Sequence, residues 1–443
     1  MTESTRTRWN RPNIVQNPID PHCSLKIAFV ICPTHGQVID RVTHDAYKPK
    51  KVRYTPLGVL SVIASLPEHH QVTLIDASSL GMTIDDILEE LAWFQPDILA
   101  LSVVTYRAWS MTELLRRSEA PIKIVGGPHA TYHHAAIRRQ GADAVFVGDA
   151  EVSMPRWLKA GCPEGVFVGE PVDLNAIPFP DRRILNLDDY RIPASEDRGK
   201  LLFDAGDLRL PMFSSKGCPL KCIYCDVQQK RYNTKAPETI LREFHDLQRL
   251  GVTSIHVLDD TFNLERQRVI QFCRLLMDEE WQMTWSARGI LESSEEVVKH
   301  LAMAGCHRLH VGIEHLDDNV LKYFRKHQRL KDVRRFGELC RKHDITILGY
   351  FVLGAPGETR QYHENLPEMI RELGIHIPFF NILTPLSDTE FYRQLLQDGR
   401  IKEDFWAPFI EQPVKDFQIP LHRPPEEERE LQETLDHYLT LFT

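Results

Sequence analysis

Three cysteines stand close together near the middle of the chain. Cys218, Cys222 and Cys225 have CxxxCxxC spacing, and they follow an apolar run at 208–213 that is typical of a strand. Three thiolates on one short loop can each bind a different iron of a cubic [4Fe–4S] cluster, which leaves the fourth iron without a protein ligand. The spacing therefore predicts an iron–sulfur centre with one open coordination position.

A zinc site and a disulfide are the two alternatives to the cluster. Structural zinc takes four ligands, commonly from paired motifs, and Cys222 with Cys225 forms the one CxxC pair of this region. A disulfide would leave one of the three thiols unpaired. The cluster is the favoured prediction.

The cysteine segment resembles the signature loop of the radical SAM enzymes. In that superfamily the open iron chelates the amino and carboxylate groups of S-adenosylmethionine (SAM) and passes an electron into its sulfonium. The resemblance implies that Cys218, Cys222 and Cys225 are the metal ligands and that Tyr224 packs against the cofactor. An electron donor such as flavodoxin or ferredoxin is also implied.

Six strand–helix units are predicted between about residues 208 and 395. After the apolar run before the cysteines, strands are predicted at 254–260, 283–290, 308–315, 345–353 and 374–383, with helices between them. This alternation predicts a partial (βα)6 barrel of the triosephosphate isomerase type. The active site of such a barrel lies at the carboxyl ends of its strands.

Charged residues stand at three of these predicted strand ends. Asp259 and Asp260 end the second strand, in a motif that resembles Asp-Asp-x-Phe of the radical SAM subgroup. The resemblance implies that both lie near the methionine amino group of SAM. Arg288 would pair with the methionine carboxylate, and Glu314 would bind the ribose hydroxyls or the amino group. A structural ion pair, such as Glu314 with Arg288, is the alternative.

The stretch 349–359 resembles the Gly-x-x-x-x-Gly-x-Pro-Gly-Glu-Thr motif of the same subgroup. Glycine lets the backbone approach a ligand closely. The resemblance implies that Gly354 and Pro356 lie beside the adenine of SAM.

Residues 24–160 predict a Rossmann-like, doubly wound parallel sheet, because strands at 26–32, 71–76, 97–104, 122–126 and 143–148 alternate with helices. Its motifs resemble the cobalamin-binding domain that precedes the barrel in one radical SAM subgroup: Pro56-Leu57-Gly58, Pro96-Asp97, Gly126-Gly127-Pro128-His129 and Gly148-Asp149-Ala150-Glu151. The resemblance implies a cobalamin site at the carboxyl edge of the sheet. The residues implied are Tyr106, Arg107, Gly126, Gly127, Gly148 and Glu151.

One departure from other cobalamin proteins matters. The Asp-x-His-x-x-Gly motif, whose histidine binds cobalt from below, is absent, and His35 lacks the required aspartate. We therefore expect cobalamin to be held without a histidine on the cobalt. A sheet that no longer binds cobalamin and only supports the barrel is the alternative.

The remaining segments are a tail at 1–23, a proline-rich linker at 161–207 and a C-terminal helical extension at 396–443. Tyr190 and Asp204 of the linker are candidates to reach the active site. The net charge of −9 and the lack of a basic run argue against nucleic acid as a partner. No apolar run spans a membrane and the N-terminus lacks an apolar signal core, so a cytoplasmic location is expected.

The predicted function is that of a radical SAM enzyme that makes a 5′-deoxyadenosyl radical at its [4Fe–4S] cluster. The favoured reaction is cobalamin-dependent methylation of an unactivated carbon in a small-molecule natural product or metabolite. The alternative enzyme is a dehydratase of an aminoglycoside sugar diol, with a cobalamin-type domain that no longer binds cobalamin. A non-enzymatic iron–sulfur or zinc module would explain the cysteines but not the adenine motif.

Overall fold

The computed structural model describes residues 24–34, 53–192, 206–227 and 231–442. These residues form two compact units. The first contains 24–34, 53–191 and 405–418, and the second contains 192, 206–227, 231–404 and 419–442. Each is built on a parallel sheet with helices, which confirms the predicted α/β fold class.

The sheet of the first unit has six parallel strands in the order β2-β1-β3-β4-β5-β6. Its strands are β1 (Lys26–Ile31), β2 (Gln71–Ile75), β3 (Ile98–Ser102), β4 (Ile122–Gly126), β5 (Ala144–Val147) and β6 (Gly165–Val168). Its helices are α1 (Leu57–Ala64), α2 (Ala77–Leu80), α3 (Ile84–Phe94), α4 (Ala108–Arg117), α5 (Pro128–Arg139), α6 (Ser153–Lys159) and α14 (Trp406–Glu411). Strands β1 and β3 are continuous apolar runs because both of their faces are covered.

The first unit also contains two segments that were not predicted to belong to it. Strand β6 lies within the predicted linker but pairs with β5, so the unit extends to Arg191 rather than to 160. The segment Phe405–Gln418, predicted as part of the C-terminal extension, also belongs to it. Arg139 Nη2 lies 2.5 Å from Glu411 Oε1, and Gln140 Nε2 donates to the Ile410 carbonyl at 2.8 Å.

The sheet of the second unit also has six parallel strands, in the order β14-β13-β12-β11-β10-β7. They are β7 (Arg209–Met212), β10 (Ser254–Val257), β11 (Thr284–Gly289), β12 (Cys306–Glu314), β13 (Thr346–Leu353) and β14 (Ile377–Ile382); the short strands β8 (Ser215–Lys216) and β9 (Asn233–Thr234) pair apart from them. The helices are α7 (Pro237–Arg249), α8 (Arg266–Asp278), α9 (Glu295–Met303), α10 (Asp318–Tyr323), α11 (Leu330–Lys342), α12 (Arg360–Glu372), α13 (Glu390–Gln397) and α15 (Pro425–Phe442). Strands β7 and β14 are the two edges of this sheet.

The core of the second unit is aromatic where α7 and α8 cover the sheet. Phe244 and Phe272 have ring centroids 5.1 Å apart, and Phe272 lies 5.6 Å from Trp285. Cys273, Cys306 and Cys340 are all buried in this core. Burial raises their pKa values, as expected of thiols that pack as small apolar side chains. Cys306 lies close enough to the other two that it adds to the rise in their pKa values.

None of the helices in the described part of the chain combines the length and the apolar character that crossing a bilayer requires.

Candidate active site

The cysteine loop leaves the carboxyl end of β7 and is held from both sides. Ile223, between the second and third cysteines, donates its backbone N–H to the Phe324 carbonyl at 3.3 Å. Its own carbonyl accepts the N–H of Phe391 at 2.9 Å, and its side chain is buried. The thiols of the three cysteines remain partly exposed on this anchored loop. The loop is thus fixed by its apolar residue, which leaves its thiols available to a ligand.

The cysteine loop offers the three thiol donors that a [4Fe–4S] cluster takes. Within the described residues, no three His, Cys, Asp or Glu side chains converge on one ion position. Zinc needs its ligands around one point, whereas a cubic cluster offers each cysteine a different iron. The hydroxyl of Thr261 donates to Cys218 Sγ at 3.3 Å. A ligating sulfur would keep this hydrogen bond, so the residues present are compatible with a [4Fe–4S] cluster.

The Asp259 carboxylate holds the segment just before the cysteine loop by hydrogen bonds. It is fully buried and accepts three of them: from the Ser214 amide at 2.7 Å, the Ser214 hydroxyl at 2.5 Å and the Ser215 hydroxyl at 2.7 Å. Burial raises the pKa of Asp259, although the charge of Arg268 and the serine hydrogen bonds oppose this. Both oxygens of this carboxylate thus fix the segment that precedes the cysteines, and its predicted place near the methionine amino group of SAM stays a prediction.

Arg288 and Asp260 form an ion pair that stays accessible. Arg288 Nη2 lies 3.3 Å from Asp260 Oδ1, and its Nε donates to the Asp259 carbonyl at 2.7 Å. About a third of each side chain is exposed, 36% for Arg288 and 32% for Asp260. Both residues therefore lie at the carboxyl ends of their strands, as predicted, and this end of the sheet is called the rim. The Arg288 guanidinium is already paired with Asp260 there.

Glu314 has a strained backbone at the end of β12. Its φ is 65°, and the N–H of His315 bonds back to the Ile313 carbonyl at 2.8 Å, which makes a γ-turn centred on Glu314. The register with β13 shifts at the same point. Gln328 Nε2 stabilises the turn by donating to the Ile313 carbonyl at 2.7 Å. Strain of this kind is retained where the surrounding structure fixes it, often at functional sites.

The ion-pair partner of Glu314 is Lys326, not the Arg288 that the structural alternative named as an example. Lys326 Nζ lies 3.0 Å from Glu314 Oε1, and each side chain is only 10% exposed. Burial lowers the pKa of Lys326, but the charges of Glu314 and of the thiols Cys222 and Cys225 outweigh it, and the net pKa is raised. Tyr224 also hydrogen-bonds Glu314, and burial raises the pKa of its phenol well above the usual range. The alternative of a structural ion pair is thus met in part, with a different cation.

Lys326 is the residue that the sequence analysis missed. It follows α10, whose N-terminus is capped by Asp317 soon after Glu314. Such a short helix returns the chain toward the strand end from which it started. The signal available in the sequence was a lysine between Arg325 and His327, near apolar Phe324.

The loop after β13 is organised by Glu358. Its two carboxylate oxygens accept the backbone N–H groups of Gly354 and Ala355, both at 2.8 Å. Burial would raise the pKa of Glu358, yet hydrogen bonds from His315, His363 and the two amides lower it to about 2. Gly354 has φ 81°, which a side chain rarely adopts. Gly354 and Pro356 thus lie on one loop at the carboxyl end of β13; their place beside adenine stays a prediction, after which we call residues 354–358 the adenine-side loop.

The predicted cobalamin residues share one edge of the first unit. Tyr106 and Arg107 form a 3₁₀ turn after β3, Gly126 and Gly127 end β4, and Gly148 follows β5. Gly127 has φ 93°, and a Cβ there would lie 3.0 Å from the Val103 backbone. Gly148 has φ 77°, but no atom lies within 4 Å of its would-be Cβ. This edge, which we call the glycine edge (Gly126, Gly127 and Gly148), therefore combines a tight backbone contact with open space.

The other predicted residues of the first unit are less open. Arg107 Nη1 donates to the Cys32 carbonyl at 3.3 Å, and burial lowers its pKa against the opposing charges of Cys32 and Asp76. Glu151 is buried. Tyr190, a linker candidate for the barrel site, instead donates to Asp76 Oδ2 at 2.7 Å within the first unit. His35 and Asp204 lie outside the described residues.

Comparison with known proteins gives two family matches. A model described as the radical SAM superfamily matches residues 212–370, and a model described as the B12-binding domain matches residues 51–158. The first covers the cysteine loop and the adenine-side loop, and the second covers the glycine edge.

Two curated relatives are named methyltransferases. "Uncharacterized methyltransferase PH0819" from Pyrococcus horikoshii is 26% identical over 87% of this chain and 86% of its own length. "Bacteriochlorophyllide d C-8(2)-methyltransferase" from Chlorobaculum tepidum is 22% identical over 82% and 81% of the two chains.

A solved structure has a similar fold. The radical SAM methyltransferase TsrM from Kitasatospora setae, with cobalamin and a [4Fe–4S] cluster bound, superposes with a TM-score of 0.62 and covers 85% of this chain and 76% of its own. At 15% identity this likeness concerns the fold alone.

Proposed function

Because this chain is an enzyme of the radical SAM class with an N-terminal B12-binding domain, we propose that it is a cobalamin-dependent methyltransferase that acts on an unactivated carbon of a small molecule. Its radical SAM domain implies SAM and a [4Fe–4S] cluster as cofactors, and its B12-binding domain supports cobalamin. The observation that carries the proposal is the anchored cysteine loop, whose three cysteines are partly buried and form no disulfide, in a chain that also has the glycine edge.

In this proposal Cys218, Cys222 and Cys225 hold the cluster, and the surrounding rim holds SAM. When bound, the cluster supplies the electron that cleaves SAM to a 5′-deoxyadenosyl radical, and cobalamin supplies the methyl group to the substrate carbon. Thr261 keeps its hydrogen bond to Cys218. Tyr224 packs beside the cluster, because it lies between two of the ligands and near Glu314.

Glu314 and Lys326 complement the charges of the methionine part of SAM. The carboxylate accepts hydrogen bonds from an ammonium or from ribose hydroxyls, and the lysine attracts a carboxylate. In the protein without SAM the two side chains neutralise each other, which keeps either charge from being buried alone. Arg288 and Asp260 provide a second, more accessible pair at the same rim.

The adenine-side loop, with Gly354 and Pro356, receives the adenine through its backbone groups. Glu358 holds the loop open by occupying two amides, which fixes the direction of the remaining ones. Gly126, Gly127, Gly148, Tyr106, Arg107 and Glu151 form the proposed cobalamin edge.

In this proposal the chain contains, in order, a cobalamin-binding domain, a connector, a radical SAM barrel and a C-terminal extension. Strand β6 of the connector and the segment Phe405–Gln418 of the extension belong to the first compact unit. A flavodoxin or ferredoxin is the proposed electron donor. A dehydratase is not proposed, because no described feature favours it.

The test is anaerobic purification from cells supplied with cobalamin, followed by metal analysis and incubation with SAM and a reductant. We expect about four irons and one cobalt per chain, 5′-deoxyadenosine from cleavage of SAM, and S-adenosylhomocysteine from transfer of its methyl group. A protein that forms 5′-deoxyadenosine but never retains cobalt or forms S-adenosylhomocysteine would overturn the methyltransferase proposal and leave the radical SAM class intact.

A further inference from the structure

Arg423, from the segment before α15, is tied to the adenine-side loop. Its guanidinium donates to the Gly354 carbonyl at 3.1 Å, to the Leu383 carbonyl at 2.7 Å and to Glu428 Oε2 at 3.1 Å. Its side chain is only 6% exposed. Burial lowers the pKa of Arg423, and Glu428 opposes this. One buried cation therefore joins the ends of β13 and β14 to the first turn of α15.

The contact between Arg423 and Gly354 is close. A Cβ on Gly354 would lie 2.7 Å from Arg423 Nη2 and 2.7 Å from Leu431 Cδ2. Glu358 holds the N–H of Gly354, while Arg423 holds its carbonyl. The peptide groups on both sides of this glycine are thus fixed by charged side chains from two different segments.

We infer that Arg423 is a positioning residue for SAM: it sets the conformation of the adenine-side loop and thereby the affinity for the adenine end of the cofactor. The inference rests on the proposed function, and it assigns a role to a C-terminal segment in which the sequence showed no functional signal. A guanidinium can serve two carbonyls and a carboxylate at once because its donors form a planar fork. A lysine ammonium keeps the charge but not the fork.

The experiment compares four variants of the anaerobically purified, cluster-loaded enzyme. Arg423→Met removes the fork and the charge, Arg423→Lys keeps the charge, and Glu428→Gln weakens the hold on Arg423 while preserving its contacts with the carbonyls. Arg429→Met is the matched control, since Arg429 is an exposed arginine on α15, next to Glu428. Each protein is measured for iron content, melting temperature, SAM affinity by equilibrium dialysis, and the change that SAM causes in the EPR spectrum of the reduced cluster.

We expect Arg423→Met to bind SAM about tenfold more weakly, the scale of losing a hydrogen bond to a charged group, with full iron content. The EPR change should need correspondingly more SAM. The SAM affinity of Arg423→Lys should fall between those of the wild type and Arg423→Met. Glu428→Gln should lose less SAM affinity than Arg423→Met, and Arg429→Met should match the wild type.

Three results separate the possible failures. Wild-type SAM affinity in iron-loaded Arg423→Met, whatever its melting temperature, would overturn the inference alone. If Arg423→Met does not fold, wild-type affinity in both Arg423→Lys and Glu428→Gln would overturn it equally. A wild-type protein with a full cluster that neither binds nor cleaves SAM would overturn the proposed function, and the inference with it.

Discussion

The carboxyl edges of the two sheets are built in different ways. The edge of the second unit is made of charges that need partners: the buried pair Glu314–Lys326, the exposed pair Arg288–Asp260 and the buried carboxylate of Asp259. The edge of the first unit is made mainly of backbone, with Gly127 packed against a neighbouring strand and Gly148 facing open space. If the two edges bind the proposed cofactors, the first would recognise them by charge and the second by shape. Substitutions should therefore fail by different routes at the two edges.

The largest expected effect is at the cysteine loop. Cys222→Ala removes one of three cluster ligands, so we expect loss of most of the iron and of all reductive SAM cleavage. Iron analysis and 5′-deoxyadenosine formation measure this. Cys273→Ala, at a buried thiol of the core, is the control and should keep its cluster. A Cys222→Ala protein with full iron and normal cleavage would disprove the ligand assignment.

Glu358 gives the charged edge a dependence on acid. Its folded pKa of about 2 lies below its ordinary value of 4.5, so its stabilisation is present above pH 4.5 and is lost as the pH falls toward 2. The full contribution is about 3 kcal/mol, of which about 1 kcal/mol disappears between pH 6 and pH 3.5. Denaturant unfolding at the two pH values should show this loss in the wild type and not in Glu358→Gln. Equal losses in both proteins would contradict it.

Glu314→Gln should weaken SAM binding and leave the cluster in place. An amide carries no charge to neutralise Lys326 and accepts a weaker hydrogen bond from an ammonium than a carboxylate does, so we expect a loss of about 2 kcal/mol in SAM affinity, about 30-fold. Arg360→Met, at an exposed cation beyond the adenine-side loop, is the control. SAM titration beside a thermal melt decides the matter: a lowered melting temperature with unchanged affinity would make Glu314 a purely structural residue.

The two glycines of the first unit allow a matched comparison. Alanine at either position costs about 1–3 kcal/mol because both glycines have a positive φ that other residues rarely adopt. Gly127→Ala should cost more, because its methyl meets the Val103 backbone at 3.0 Å, whereas Gly148→Ala has room. If the open space receives cobalamin, Gly148→Ala should retain less cobalt per chain at nearly normal stability. Equal unfolding free energies for the two variants would show that the edge is not shaped as described.

The smallest expected effect concerns Thr261. A donor to a ligating sulfur favours the reduced, more negative cluster, so Thr261→Val should make the reduction potential more negative with no loss of iron. Thr261→Ser keeps the hydroxyl and should match the wild type. Potentiometric titration followed by EPR measures the shift, and an unchanged potential in Thr261→Val would remove the hydrogen bond from the account.

The sequence was informative where a residue type has one chemical use. Cysteine spacing and glycine-rich strand ends located both edges, because thiolates and glycines are hard to replace in those places. Ion-pair partners were harder to predict. Asp259 accepts hydrogen bonds from two serines and Glu314 pairs with Lys326, and neither partner was predicted, because such partners are brought together by chain segments whose return path the sequence does not specify. Strand β6 was missed because four residues in a proline-rich region are too short to show a period.

The segment Phe405–Gln418 bears on how the polypeptide is made. The first unit begins near the start of the chain, yet its helix α5 receives Glu411 and the Ile410 carbonyl, and Lys415 lies 5.6 Å from the ring of Trp109. A ribosome delivers these partners only after every strand of the barrel has been synthesised. The unit that emerges first is therefore completed late, and in a nascent chain stalled before residue 405 the surface around α5 and Trp109 is left uncovered. We expect that surface to be protected from protease only in chains that extend past residue 418.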